Sequence, residues 1–192
     1  MDLKDRIAGL MPRARTELAE LVAIPSVADA RQFPPEECER AAQWVLGAFR
    51  EVGFGDVALH ETADGSKAVV GSRPASRTDA STVLLYAHYD VQPPLDEKEW
   101  RTPPFTLTES GGRWYGRGAA DCKGNIVMHL TALRALREVQ GGFPCGVKVI
   151  CEGSEEQGTG GLEEFVPDNV ELLRADTIWS PTPATSPSEF RR

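Results

Sequence analysis

The chain has 192 residues, 41% of them hydrophobic and 26% charged, with a formal net charge of -8 and a pI of about 5.0. That length suffices for one domain with its own core, and the composition is that of a globular protein. The acidic balance lacks the basic footprint that phosphate binding needs, and no apolar run reaches the roughly 20 residues that span a bilayer, so neither nucleic acid nor membrane is expected as a partner.

Met1 to Leu10 is charged and helix-like, without the apolar core of a signal peptide, which predicts a cytoplasmic location. Leu3, Ile7, Leu10, Leu18, Leu21 and Val22 recur at near-helical spacing and predict a helix to about Val22, with Pro12 as an irregularity. Ile24-Pro25-Ser26-Val27 breaks it. A second helix is predicted from near Pro35, with Glu36 and Glu37 in its first turn, to a stop at Gly53. Strands are predicted at Val57–His60, Lys67–Gly71 and Thr82–Ala87, the last apolar enough to be covered on both faces. Gln92–Pro104 is predicted to be loop, Gly124–Val139 helix, Val147–Cys151 buried strand and Gly161–Val166 a short helix. This alternation predicts an α/β sandwich with a central mixed sheet. Cys38, Cys122, Cys145 and Cys151 form no C-x-x-C pair and read as reduced thiols.

The polar residues of interest lie at strand ends, where open α/β sheets place their ligand sites. His88-Tyr89-Asp90 follows the Thr82–Ala87 strand: imidazole suits a borderline metal, and a carboxylate two residues on can orient the ring. Asp121 lies in Gly116-Arg117-Gly118-Ala119-Ala120-Asp121-Cys122-Lys123-Gly124, before a helix. This spacing is not that of a P-loop. Glu155 and Glu156 follow the Val147–Cys151 strand in a glycine-rich turn, where adjacent carboxylates need a cation or a shared proton. Each has a bland alternative: a hydrogen-bonded histidine, a helix N-cap and a solvated acidic turn. Their joint appearance at the ends of one sheet points to a binuclear hydrolase.

Leu85-Tyr86-Ala87-His88-Tyr89-Asp90-Val91-Gln92-Pro93, then Trp100 with Pro103-Pro104-Phe105, Tyr115 to Asp121, and Glu152-Gly153-Ser154-Glu155-Glu156 resemble the zinc exopeptidase family. That family includes carnosine-type dipeptidases, aminoacylase, acetylornithine deacetylase and succinyl-diaminopimelate desuccinylase. The resemblance covers roughly residues 15 to 178 and is nearest the dipeptidase branch. It implies a phosphorylase/hydrolase-like catalytic domain and two zinc ions, with cobalt or manganese as alternatives. It also implies that His88 ligates one ion, Asp121 bridges both, Glu156 ligates the other, Asp90 orients His88, and Glu155 is the general base. A cis peptide is expected at Asp121–Cys122, where Cys122 replaces the more usual Asp or Asn. The implied substrates are small peptides or N-acyl amino acids.

The resemblance further implies an Asp or Glu ligand after the Glu pair, a distal His, and an inserted lid that makes full-length relatives homodimers. His129, on a helix, is read as an ordinary helix histidine and not as a substitute ligand. Residues 1–178 are therefore read as an incomplete, N-terminal part of the catalytic domain, and 179–192 as a non-family tail. Arg174 to Ile178 resembles the strand leading to the missing acid. Read one frame over from Pro181, chosen codons permit Asp-Thr-Gly-Asn-Phe, so a frameshift between Ile178 and Pro181 is expected. Its rival is a natural truncated product with a disordered Pro/Ser/Thr-rich tail. A non-catalytic binding fragment is the alternative function.

Overall fold

The structure is a computed structural model that describes residues 2–77 and 79–180. Helix α1 (Leu3–Val22) starts at the Asp2 cap and buries Leu10, Ala14, Leu18, Leu21 and Val22, one face of a 3.6-residue period. Pro12 sits inside α1 without ending it. Helix α2 (Glu36–Val52) ends at Gly53, whose φ of 107° is the left-handed turn that glycine supplies without a Cβ penalty. Helix α3 spans Lys123–Gln140, α4 spans Gly160–Asp168 and α5 spans Val170–Leu173.

Strands β1 (Ala58–Glu61), β2 (Lys67–Arg73), β3 (Thr82–His88), β6 (Gly146–Glu152) and β7 (Thr177–Trp179) form one mixed sheet in the order β1-β2-β6-β3-β7. The β1–β2 and β2–β6 pairs are antiparallel, and β3 runs parallel to both β6 and β7. A separate hairpin joins β4 (Thr108–Ser110) to β5 (Arg113–Tyr115). The predicted α/β sandwich with a central mixed sheet is therefore the observed architecture. The β4 strand was not predicted, being three residues long and mostly polar.

One face of the sheet carries the main core, where Val69, Val149, Cys151 and Ala87 meet Val45 and Phe49 of α2 and Ile126, Leu130 and Leu133 of α3. The other face is thinner: Ala68, Val70 and Ile150 pack on Leu162 and Phe165 of α4 and Leu173 of α5. The strand covered on both faces is β6. The expectation of full cover for Thr82–Ala87 is corrected, because every residue from Thr82 to Tyr86 is only half-buried. The reason lies next door: β3's outer neighbour is the three-residue β7, whose Ile178 and Trp179 are themselves exposed. Of the tail read as 179–192, only Trp179, the last residue of β7, and Ser180 are described; the rest, with the frameshift expected near Pro181, lies outside the described residues.

Because β3 and β6 are parallel and in register, His88 stands beside Glu152 at one end of the sheet. Two connections hold that end in place. Tyr89 N–H donates to Glu152 O at 2.8 Å, and Val91 N–H donates to Ser26 O at 2.9 Å. Ser26 Oγ donates to Tyr89 O at 2.7 Å, so the Ile24-Pro25-Ser26-Val27 break after α1 serves as a clamp on the His88–Val91 segment. No helix among the described residues is long and apolar enough to cross a membrane.

Candidate metal centre

His88, the last residue of β3, is 1% exposed, and Asp90 just beyond it is fully buried. His88 Nδ1 faces two acceptors, Asp90 O at 3.1 Å and Asp90 Oδ1 at 3.2 Å, so this nitrogen carries a proton and donates. That leaves Nε2 aimed at Asp121 Oδ1, 3.2 Å away, and at Glu155 Oε2, 3.7 Å away. Both are anionic acceptors, so in their company Nε2 needs a cation, whether a proton or a metal. Burial disfavours the imidazolium. The hydrogen bonds to Asp90 and Cys122 and the nearby negative charge outweigh burial and raise the His88 pKa to about 11.

Asp90 does more than orient His88. Its Oδ2 accepts from the Glu156 backbone N–H at 2.9 Å, and its Oδ1 from the Glu155 N–H at 3.3 Å. One buried carboxylate thus ties the imidazole to the turn Glu155–Gln157. Glu155 has its pKa raised, first by burial and then by repulsion from Glu156, Asp90 and Asp121, with His88 opposing. Glu156 Oε2 accepts from Gln92 Nε2 at 2.8 Å, and Glu156 O from the same amide at 3.1 Å.

Asp121 ends the glycine-rich loop after β5. Gly118 there has φ of 78°, and a Cβ on it would sit 2.6 Å from Val91 Cγ1, so the loop can lie this close to the His88–Val91 segment only with glycine. Asp121 is not the N-cap of α3. Cys122 occupies that position and makes no side-chain cap bond, while the Asp121 carboxylate is exposed and faces His88. The peptide Asp121–Cys122 is cis. A cleft of about 770 Å³, lined in part by Trp100, Trp114, Arg117 and Ala120, opens beside this loop.

Two donor groups, each with its ligand atoms within 4.8 Å of one another, share His88: His88–Asp121–Cys122 and His88–Glu155–Glu156. All five predicted site residues therefore lie at one end of the sheet. Four are donors, and Asp90 stands behind them. The donor chemistry, one imidazole among carboxylates and a thiol, suits a borderline divalent metal. His129 belongs to neither group. It is buried on α3 with Nε2 3.3 Å from Tyr86 O, and burial lowers its pKa.

Three further residues escape a reading of the sequence. Glu152 is 1% exposed; Tyr86 OH donates to its Oε1 at 2.8 Å and Ser154 Oγ to its Oε2 at 3.2 Å. Burial raises its pKa to about 7, against those hydrogen bonds. Strand alternation was the available signal, since Glu152 shares the Tyr86 face of the sheet. Lys123 is fully buried and its Nζ donates to Leu21 O at 2.9 Å and Ile24 O at 2.6 Å, joining the Asp121 loop to the end of α1. Burial lowers its pKa to about 7. The third is Gln92, whose hold on Glu156 nothing in the sequence marks.

Comparison with known proteins shows the family. A family model described as Peptidase family M20/M25/M40 matches residues 84–186. The chain is 44% identical over 170 residues to a cysteinylglycine-S-conjugate dipeptidase of Corynebacterium striatum, covering 85% of this chain and 35% of the relative. It is 37% identical over 164 residues to a Beta-Ala-His dipeptidase of Mus musculus, covering 78% and 32%. The crystal structure of human carnosine dipeptidase 1 superposes with a TM-score of 0.79 at 28% identity, covering 92% of this chain and 40% of that one. The chain spans about a third of the length of the curated relatives it matches.

Proposed function

The chain belongs to peptidase family M20/M25/M40, and on that premise we propose that residues 1–178 contribute the N-terminal part of a two-zinc catalytic domain that hydrolyses dipeptides or N-acyl amino acids. The observation that carries this is the convergence of His88, Asp121, Glu155 and Glu156 at the end of β3 and β6, with Asp90 tying the first to the last two. Cysteinylglycine- and β-alanylhistidine-type dipeptides are the substrate class that the names of the relatives suggest.

His88 and Glu156 would each hold one ion, and Asp121 would bridge them. Zinc, when bound, supplies a Lewis acid that acidifies water and polarises the scissile carbonyl. Glu155, with its raised pKa, takes the proton from the attacking water and delivers it to the leaving amine. Asp90 fixes the proton on His88 Nδ1 and so keeps Nε2 turned toward the site. Of the ligands that the resemblance implies, each ion finds here one of its own plus the bridge, so this stretch alone is proposed to hold zinc weakly and to turn over little. The cytoplasmic location expected from the sequence remains part of this proposal, and the inserted lid that makes full-length relatives homodimers is proposed to lie outside residues 1–178.

Zinc titration of the 192-residue chain, followed calorimetrically, tests the reading. Saturable binding is expected, reduced in His88→Ala and kept in Glu155→Gln. Equal binding to the wild type and His88→Ala would remove the metal centre from these residues. Two ions retained through dialysis with brisk dipeptide hydrolysis would instead refute the weak-holding part.

A further inference from the structure

Cys122 occupies a position where the resemblance expects an oxygen or amide side chain, and the proposed reaction leaves it without a role. Its side chain is fully buried, against His88. Its sulfur is one of three donors, with His88 and Asp121, that lie within 4.8 Å of one another. A tetrahedral ion with bonds of about 2.0 Å to N or O and about 2.3 Å to S separates its donors by roughly 3.3–3.5 Å. The 3.2 Å between His88 Nε2 and Asp121 Oδ1 is close to the lower end of that span. Asn125 Nδ2 donates to Cys122 Sγ at 3.1 Å, so the sulfur is used as an acceptor, the role a ligating thiolate has.

We propose that Cys122 Sγ is a direct ligand of the ion held at His88, making that position a nitrogen–oxygen–sulfur site. This rests on the metal-centre reading above. On binding, the thiol S–H bond breaks, the proton leaves to solvent and the sulfur lone pair forms the metal–sulfur bond, with no change of oxidation state. The consequence is selectivity: a thiolate favours zinc or cobalt over manganese, the hard ion that an all-oxygen equivalent would accept.

Cobalt reports both the inference and the reading beneath it. The cobalt-loaded 192-residue chain is expected to show visible ligand-field bands together with a near-ultraviolet sulfur-to-cobalt charge-transfer band. Cys122→Ser should keep the visible bands and lose the charge-transfer band, and His88→Ala should weaken the visible bands and lose the charge-transfer band. A charge-transfer band that survives in either variant belongs to another thiol and overturns the inference. Visible bands without any charge-transfer band in the wild type overturn it too, while leaving the metal centre standing. Absence of visible bands in the wild type sinks the metal centre and the inference together. Should Cys122→Ser not fold, X-ray absorption of the zinc-loaded wild type decides: a sulfur shell at about 2.3 Å is expected, and a shell of light atoms alone rejects the ligand.

Discussion

The site has two halves built on different principles. The strand-end half, His88, Asp90 and Glu152, is at most 1% exposed, and each side chain is held by hydrogen bonds. In the loop half, Asp121 is 61% exposed and Glu155 34%. Burial makes the first half expensive to alter, because a group stripped of its partner there has no water to fall back on. The second half can carry several like charges because solvent screens them. The two halves divide the labour: buried strand ends fix orientation, and exposed loops supply negative charge.

The largest effect on folding should follow from breaking the buried half at its hub. In Asp90→Ala, the Glu155 and Glu156 amides lose their acceptor and His88 Nδ1–H keeps only the backbone carbonyl of residue 90. A cost of about 3–5 kcal/mol is expected, typical of removing one member of a buried charged pair. Denaturant titration in the presence of chelator measures it. A loss below about 1 kcal/mol would show that water reaches these groups and that the two halves do not differ as described. In any variant fraction that folds, zinc affinity should also fall, by roughly 10- to 100-fold, as when an outer partner of a metal-bound histidine is lost.

How far this division could be read from the sequence follows from how local each signal is. His88-Tyr89-Asp90 and Glu155-Glu156 were legible because each follows an apolar strand within a few residues; both reach one end of the sheet because β3 and β6 run parallel. Asp121 was legible only jointly with them, since a lone Asp before a helix reads equally well as a cap. The cover on β3 was misjudged because apolar content says nothing about how short the next strand over will be. Lys123 was missed for a different reason. Its partners are the carbonyls of Leu21 and Ile24, about a hundred residues away in sequence, and every residue carries a carbonyl. The Tyr86–Glu152 bond depends on β3 and β6 being parallel and in register, which strand patterns alone do not fix.

An intermediate effect is expected from Glu152, and it has a direction in pH. Its folded pKa of about 7 lies above the usual glutamate value, so between about 4.5 and 7 the folded chain keeps a proton that the unfolded chain releases. The folded state binds more protons, and stability must therefore fall as pH rises through that window, by something on the order of 1–3 kcal/mol. Glu152→Gln keeps an acceptor for Tyr86 OH and an amide that can donate to Ser154 Oγ, but cannot titrate. Unfolding midpoints at pH 5 and pH 7, with chelator present, should differ less in Glu152→Gln than in the wild type. Equal slopes would mean that the carboxylate stays ionised and solvated, and Glu152 would then move to the exposed half of the comparison.

The smallest effect on folding belongs to Asp121, and it is the sharpest test of the division because its two readouts separate. Asp121→Asn preserves shape and keeps an oxygen facing His88 Nε2, on a side chain that is 61% exposed. Stability should change by no more than about 0.5 kcal/mol, as for other exposed substitutions. Zinc binding should nevertheless weaken, since an amide oxygen lacks the charge with which a carboxylate would bridge two cations. Unfolding and zinc titration on the same preparation separate the two. Unchanged stability with weakened binding assigns Asp121 to charge supply alone. Marked destabilisation with zinc affinity intact would mean that the loop after β5 is held in place through this carboxylate, giving it the structural duty that Asp90 is argued to carry.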